Sequence, residues 1–253
     1  MISLCALASG SNGNCYYIGN EYEAVLIDAG IPARRIITRM KVKGLFPARI
    51  RAIFVSHEHA DHASGARVMA RRLNIPIYVT QSTYLAMYAN HKPDSPRFFK
   101  PGQEITLGSF VVHTFLKNHD AAEPCSFRVD HKGIRVGIFT DMGSPSEHVI
   151  THVAQCHALF LETNYDDKML WEGSYPQLLK QRIASDHGHL SNDQAFELLK
   201  NHAGEQLKAV FLSHLSAENN RPELATGRFE EFSARYRIYL TSRQEPGEVV
   251  MIG

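Results

Sequence analysis

The sequence is poor in cysteine, in charge of one sign and in long apolar runs, and each shortage excludes something. Of 253 residues only four are cysteine: Cys5, Cys15, Cys125 and Cys156. None forms a CxxC pair, and the spacing fits neither a zinc ribbon nor a disulfide framework. Thiols in a reducing compartment are the expectation. Lys and Arg number 27 against 26 Asp and Glu, a net charge of +1. Such a chain does not hold nucleic acid by bulk charge alone, though an enzyme acting on nucleic acid stays open. No stretch approaches the roughly 20 apolar residues of a membrane helix. The start, MISLCALASGSNG, lacks the charged and apolar regions of a signal peptide. A soluble, cytoplasmic protein with no membrane partner is therefore expected.

What is present is an ordinary globular composition, 44% hydrophobic. Residues 1–253 suit one α/β domain with a core of useful size. ISLCALAS, YYIG, AVLID, AIFVS and IPIYVT predict strands, with helices over 32–43 and over ARVMARRL. ITLGSFVVHTFLK and CSFRVDHKGIRVGIFTD are β-rich, with hairpin signals at Gly108-Ser109 and Lys132-Gly133. HALFLE and AVFLS follow as strands, with helices near 145–155 and 191–202. Ser191, three positions before Gln194, predicts a capping box at the second of these. A helix near 222–235 and the strands IYLTS and EVVMIG close the chain. Layered sheets in an α/β arrangement fit this order. Two basic runs, Arg34, Arg35, Arg39, Lys41 and Lys43, then Arg67, Arg71 and Arg72, read as solvated helix faces.

The densest chemistry lies in VSHEHADHASG, where His57, His59, Asp61 and His62 fall within six positions after an apolar strand. His57 and His59, two apart, can aim both rings at one point. Asp61 and His62, adjacent, diverge from each other and can reach a second point nearby. One loop thus offers ligands for two neighbouring ions, and imidazole with carboxylate suits zinc, manganese or iron. Three further candidates sit at or just past strand ends: His119 in LKNHD, Asp141 in IFTDMG and His214 in VFLSHLS. Strand ends on one edge are where α/β folds gather functional groups. The remaining histidines at 91, 113, 131, 148, 152, 157 and 202 have no supporting context and are given no role.

HxHxDH, then a distant histidine, an aspartate after an apolar strand and a last histidine resemble the metallo-β-lactamase fold superfamily over nearly the whole chain. The resemblance implies a four-layer αβ/βα sandwich with a dinuclear metal centre between the sheets. It implies that His57, His59 and His119 bind one ion, that Asp61, His62 and His214 bind the other, and that Asp141 bridges them. Asp28 in LIDAG matches an early aspartate that supports the histidine loop from beneath. LASGSNGN, SHEHADHASG, NHDAAEPCSF, FTDMG, LETNYD, GHLSND and LSHLSAENN together resemble the WalJ (YycJ) group of bacterial metallohydrolases, described as 5′-to-3′ exodeoxyribonucleases on double-stranded DNA. Tyr165 in LETNYD departs from that pattern, where many relatives would have histidine, and carries no assigned role.

His189 in GHLSND resembles a histidine that phosphodiesterases of the superfamily place against the scissile phosphate, with His187 its near neighbour in sequence. There it would stabilise charge or protonate the leaving oxygen, so His189, Asp61 and Asp141 are the candidate catalytic residues. The glycine-rich loop containing Ser11, Asn12 and Asn14 is a candidate for substrate contact, with His189. Fold alone does not fix the reaction. A β-lactamase would often carry cysteine or another residue where Asp141 stands, and a flavin-linked di-iron oxidoreductase would carry glutamate in place of His59. A glyoxalase-II-like thioesterase shares the ligand set without needing His189. Phosphodiester hydrolysis by two divalent ions accounts for the most features, with DNA ahead of RNA or a small cyclic phosphate; a non-enzymatic, metal-stabilised interaction protein accounts for the fewest.

Overall fold

A computed structural model describes residues 1–253. Strands β1 (Ile2–Ala8), β2 (Cys15–Gly19), β3 (Ala24–Ile27), β4 (Ile50–Phe54), β5 (Ile77–Val79) and β6 (Pro96–Phe98) are followed by β7 (Glu104–Leu107), β8 (Phe110–Leu116), β9 (Cys125–His131), β10 (Ile134–Phe139), β11 (Ala158–Glu162), β12 (Ala209–Ser213), β13 (Arg237–Leu240) and β14 (Val250–Ile252). The helices are α1 (Ala33–Val42), α2 (Ala60–Ala63), α3 (Ala66–Leu73), α4 (Gln81–Ala86), α5 (Glu147–Val153), α6 (Asp167–Glu172), α7 (Gln177–Ile183), α8 (Asn192–His202) and α9 (Pro222–Arg228).

The strands form two mixed seven-stranded sheets, ordered β14-β1-β2-β3-β4-β5-β6 and β13-β12-β11-β10-β9-β8-β7. Alternation along each strand sends every second side chain to one face. Ile2, Leu4, Tyr16, Val25 and Phe54 of the first sheet meet Phe110, Phe127, Val129, Phe160 and Phe211 of the second in a shared core. The opposite face of the first sheet packs Leu7, Leu26 and Ile53 on Ile36 and Met40 of α1 and Met69 of α3. The outer face of the second packs Phe139, Leu161 and Leu212 on Val149 of α5 and on Ala195 and Phe196 of α8. Helix, sheet, sheet, helix is the four-layer αβ/βα sandwich expected of the sequence. Burying three contiguous cores, at about 25 cal/mol per Å² of apolar surface removed from water, is what drives assembly.

Local chemistry explains the boundaries. Lys132 and Gly133, both at positive φ (48° and 82°), make the turn that joins β9 to β10, the conformation that two-residue hairpin loops require. Ser191 caps α8 in a full capping box with Gln194. The segment predicted as a helix over 222–235 instead stops at Arg228 and continues as a 3₁₀ turn over Glu230–Phe232. The kink drives Phe229 and Phe232 against Phe196, and Tyr236 against Phe232. The short elements β6, α4, α6 and α7 were not expected. They are three to seven residues long and too brief to show a period. Arg39 departs from the solvated face predicted for α1: it is 7% exposed, and its Nη1 donates to the Leu7 carbonyl at 2.7 Å.

Functional positions collect at one end of both sheets, where β3, β4, β10, β11 and β12 terminate. A cavity of about 610 Å³ around Asn20, Glu23, Ser109 and Lys132 lies at the hairpin end and contains no residue of the histidine loop. At the functional end the backbone of Gly30 presses on the histidine loop so closely that a Cβ there would stand 1.5 Å from the Asp61 carbonyl oxygen. Gly30→Ala is therefore expected to displace that loop and to cost at least about 1–3 kcal/mol of stability. Urea unfolding of the metal-free protein measures this; a wild-type midpoint would refute the close packing.

Candidate metal centre

Asp28 follows β3 with a left-handed backbone (φ 59°) and is fully buried. Its Oδ1 accepts the Ser56 amide at 2.8 Å, and its Oδ2 accepts the Ser56 hydroxyl at 2.9 Å and His62 Nδ1 at 2.7 Å. With its proton donated to Asp28, the Ser56 oxygen accepts His57 Nδ1–H at 2.8 Å. Both imidazoles thereby have Nδ1 engaged, which leaves Nε2 as the atom that can meet a metal ion. His59 caps the short helix α2, and its Nδ1 lies 3.1 Å from His57 Nε2.

The other candidates arrive from the second sheet. His119 donates Nδ1–H to the Gly188 carbonyl at 3.1 Å. Asp141 and His214 follow β10 and β12 with left-handed backbones (φ 56° and 57°). Non-glycine residues in this region are uncommon and gather at functional sites. His214 Nδ1 faces Glu162 Oε1 at 3.1 Å. Three groups result, each with its ligand atoms within 4.8 Å of one another: His57, His59 and His119; Asp61, His62, Asp141 and His214; and Asp141, Glu162, His189 and His214, the last two sharing Asp141 and His214. The structure thus gathers all seven predicted ligands. Asp141 falls in the second and third groups, and its charge also acts on His57 and His119.

The chemistry of the donors fits metal ions. His119 Nε2, His214 Nε2 and Asp141 Oδ2 are buried without a hydrogen-bond partner, an expensive state unless something else satisfies them. The set is nitrogen and carboxylate oxygen without thiolate, suited to zinc, manganese or iron. Burial alone would raise the Asp141 carboxyl, but His214 and His62 outweigh it and hold it well below the usual carboxylate range. Burial likewise opposes ionisation of Asp61, and His62 and His214 reverse it. Burial would lower His214, yet Asp141, Asp61 and Glu162 push it up to about 10. His62 is also raised, by Asp141, Asp28 and Asp61 against burial. His57 and His119 go the other way, first by burial, with His119 at about 3. Without metal, the carboxylates are balanced by protons on His62 and His214.

His189 stands at the mouth, its side chain 23% exposed. Its Nδ1 lies 2.7 Å from Glu162 Oε1, and its ring centre lies 5.4 Å from that of His119 and 5.3 Å from that of His214. Glu162, fully buried, also accepts the Met142 amide at 2.6 Å. Sequence reasoning missed Glu162. The available signal was a carboxylate ending the apolar run ALFLE, the same position that Asp28 and Asp141 occupy after their strands. It also missed Lys117, buried, whose Nζ donates to the Thr140 carbonyl at 2.7 Å beside Asp141. Of the loop proposed for substrate contact, Ser11 and Asn12 are exposed. Asn14 is fully buried and turned inward, its Nδ2 3.0 Å from His62 Nε2 and 3.4 Å from Asp61 Oδ2. The geometry gives Asn14 a part in holding ligands, in place of the substrate contact expected. Tyr165 is buried and pairs by its backbone with Ser191, which anchors the segment carrying His189.

A four-layer αβ/βα sandwich with clustered histidines and aspartates between its sheet ends defines a metal-dependent hydrolase. The chain belongs to the β-lactamase superfamily domain family, whose model matches residues 23–215. It is 35% identical over 222 residues to Exodeoxyribonuclease YycJ of Bacillus anthracis, covering 87% of this chain and 84% of that one. It is 35% identical over 224 residues to Exodeoxyribonuclease WalJ of Streptococcus pneumoniae serotype 2 strain D39, covering 87% and 83%. Among solved structures it shares its fold with the metallo-β-lactamase fold protein YhfI from Bacillus subtilis, with a TM-score of 0.71 at 18% identity over 97% of this chain and 98% of that one.

Metal binding must release the protons on His62 and His214. Protons therefore compete with metal, and affinity is expected to rise with pH through neutrality, levelling only as His214 nears about 10. Calorimetry in buffers of different ionisation enthalpy checks this: net proton release near pH 7 is expected, and none would contradict the charge balance described.

Proposed function

We propose that this metal-dependent nuclease is a 5′-to-3′ exodeoxyribonuclease on double-stranded DNA, using two divalent ions, zinc or manganese, with Asp141 between them. The two exodeoxyribonuclease relatives and the motifs shared with the WalJ group support the substrate. The observation that carries the chemistry is the Glu162–His189 pair, with Nδ1 held at 2.7 Å. It sets an imidazole against both ligand groups. A thioesterase with the same ligands has no need of it.

When bound, the ions would lower the pKa of an attacking water toward neutrality and offset charge on the phosphate. The remaining work falls to the chain. Asp28 and Ser56 fix the histidine rings so that Nε2 of His57 and His62 points inward. The Glu162 carboxylate accepts Nδ1–H of His189 and holds the ring in place. As water attacks phosphorus and gives its proton to solvent, the bond from phosphorus to the departing oxygen breaks; that oxygen takes a proton from His189 Nε2, which solvent then replaces. Localisation in the cytoplasm fits the thiols: all four cysteines are free and buried, and burial pushes Cys5 and Cys125 up to about 12. No helix is long and apolar enough to cross a membrane.

The first test is digestion of end-labelled duplex DNA by protein supplied with manganese or zinc, against a folded His59→Ala/Asp61→Ala control. Digestion by wild type alone is expected, and the retained label gives the polarity. No digestion with either metal would redirect the reading to small phosphodiesters or thioesters. His189→Ala is expected to lower kcat by about 10²–10³ with metal content unchanged. Wild-type turnover in that variant would remove His189 from the reaction.

A further inference from the structure

The mouth of the metal centre adjoins a second feature that the reaction above does not use. Loop 9–14, α1 and the segment after β13 enclose a cavity of about 510 Å³, lined among others by Asn12, Arg35, Thr38, Arg39, Arg243 and Glu245. Three guanidinium groups face one carboxylate there. Arg39 is held in place by backbone carbonyls: Leu7 at 2.7 Å, Arg243 at 3.4 Å and Gln244. It thereby pins the segment 243–244 to β1. Arg243 donates from Nε to Asn12 Oδ1 at 3.3 Å, while its Nη1 is buried without any partner. Its side chain lies along Gly10 (φ 140°), where a Cβ would meet Arg243 Cγ at 2.6 Å. A glycine at that position is what lets the arginine settle over the loop. Arg35 is exposed on the first turn of α1 and lines the same space.

The cavity is joined to the ligands through chain neighbours of its lining residues: Ser242 precedes Arg243, and Asn14 lies two positions after Asn12. Ser9 Oγ accepts the His214 amide at 2.8 Å, and the Ser9 amide donates to the Ser242 carbonyl at 3.1 Å. The Asn14 amide donates to the Asp61 carbonyl at 2.7 Å. Planar, always charged guanidinium groups with unused donors are the natural partners of a phosphate.

We propose that this cavity is a phosphate-binding subsite in which Arg243 and Arg35 hold a phosphate of the DNA strand flanking the scissile bond. The inference takes its substrate class from the nuclease reading above. The phosphate comes either from the backbone or from the 5′ end, and both present the same chemistry to the cavity.

The experiment is fluorescence anisotropy of the metal-loaded protein with duplexes protected by terminal phosphorothioate linkages, 5′-phosphorylated or 5′-hydroxyl, over a range of salt. Arg243→Ala is expected to weaken binding about tenfold and to reduce the slope of log affinity against log salt by about 1. Arg35→Ala is expected to act in the same direction; because Arg35 is exposed, it decides alone should Arg243→Ala fail to fold. Equal loss on both duplexes marks a backbone phosphate, and loss confined to the phosphorylated duplex marks the terminal one; either upholds the subsite. Unchanged affinity and slope in folded variants overturn it. Wild type that binds protected duplex but leaves unprotected duplex intact overturns the nuclease reading and not the subsite. Wild type that binds neither duplex overturns both.

Discussion

The buried Asp28 carboxylate is the contact on which the metal centre rests. It ends a central strand in a left-handed conformation and takes three hydrogen bonds, two from Ser56 and one from His62. Those bonds join β3 to the loop after β4. Through the Ser56 hydroxyl they extend to His57 as well. One carboxylate therefore orients a ring in each ligand group. Outer partners of this kind fix ring orientation and tautomer, and they raise the basicity of the ligating nitrogen.

Crowding carboxylates and imidazoles in one place is unfavourable for the metal-free fold. Buried ion pairs rarely repay their desolvation, and here three ligand atoms are left without partners. The stability that tolerates this comes from the three apolar cores, which fill the space between the sheets and beneath both helical layers. A rigid sandwich can hold like groups close together because its strand ends cannot drift apart. The strained backbones of Asp28, Asp141 and His214 are held by the same means. What is unfavourable for folding is favourable for binding a cation.

Around this centre the chain divides the work between its two sheets. The first supplies the histidine loop and, with the segment that follows β13 of the second, the arginine-lined cavity beside it. The second supplies His119, Asp141, Glu162 and His214, and the Ser191 cap that starts α8 just beyond His189. The cleft between the sheet ends thus has ligands on both walls, an imidazole held by Glu162 at its mouth and guanidinium groups on one flank.

By itself the sequence determined the elements long enough to show a period, the hairpin at Lys132-Gly133, the Ser191 capping box and the seven histidines and aspartates that the fold gathers at its sheet ends. Each of these is a local pattern: a spacing, a turn chemistry or a polar residue ending an apolar run. Its resemblance to a known family supplied the pairing of distant residues, which spacing cannot. Tertiary structure alone decided the rest. Glu162 looks like an ordinary strand-end acid until β11 brings it between His189 and His214. Asn14 looks like part of a substrate loop until the fold buries it against Asp61 and His62. Arg39 reads as a solvated helix residue until three carbonyls from two distant segments close around it. In each case the deciding contact joins residues at least 27 positions apart. A side chain's role there depends on what surrounds it, and only the assembled sheets bring those surroundings together.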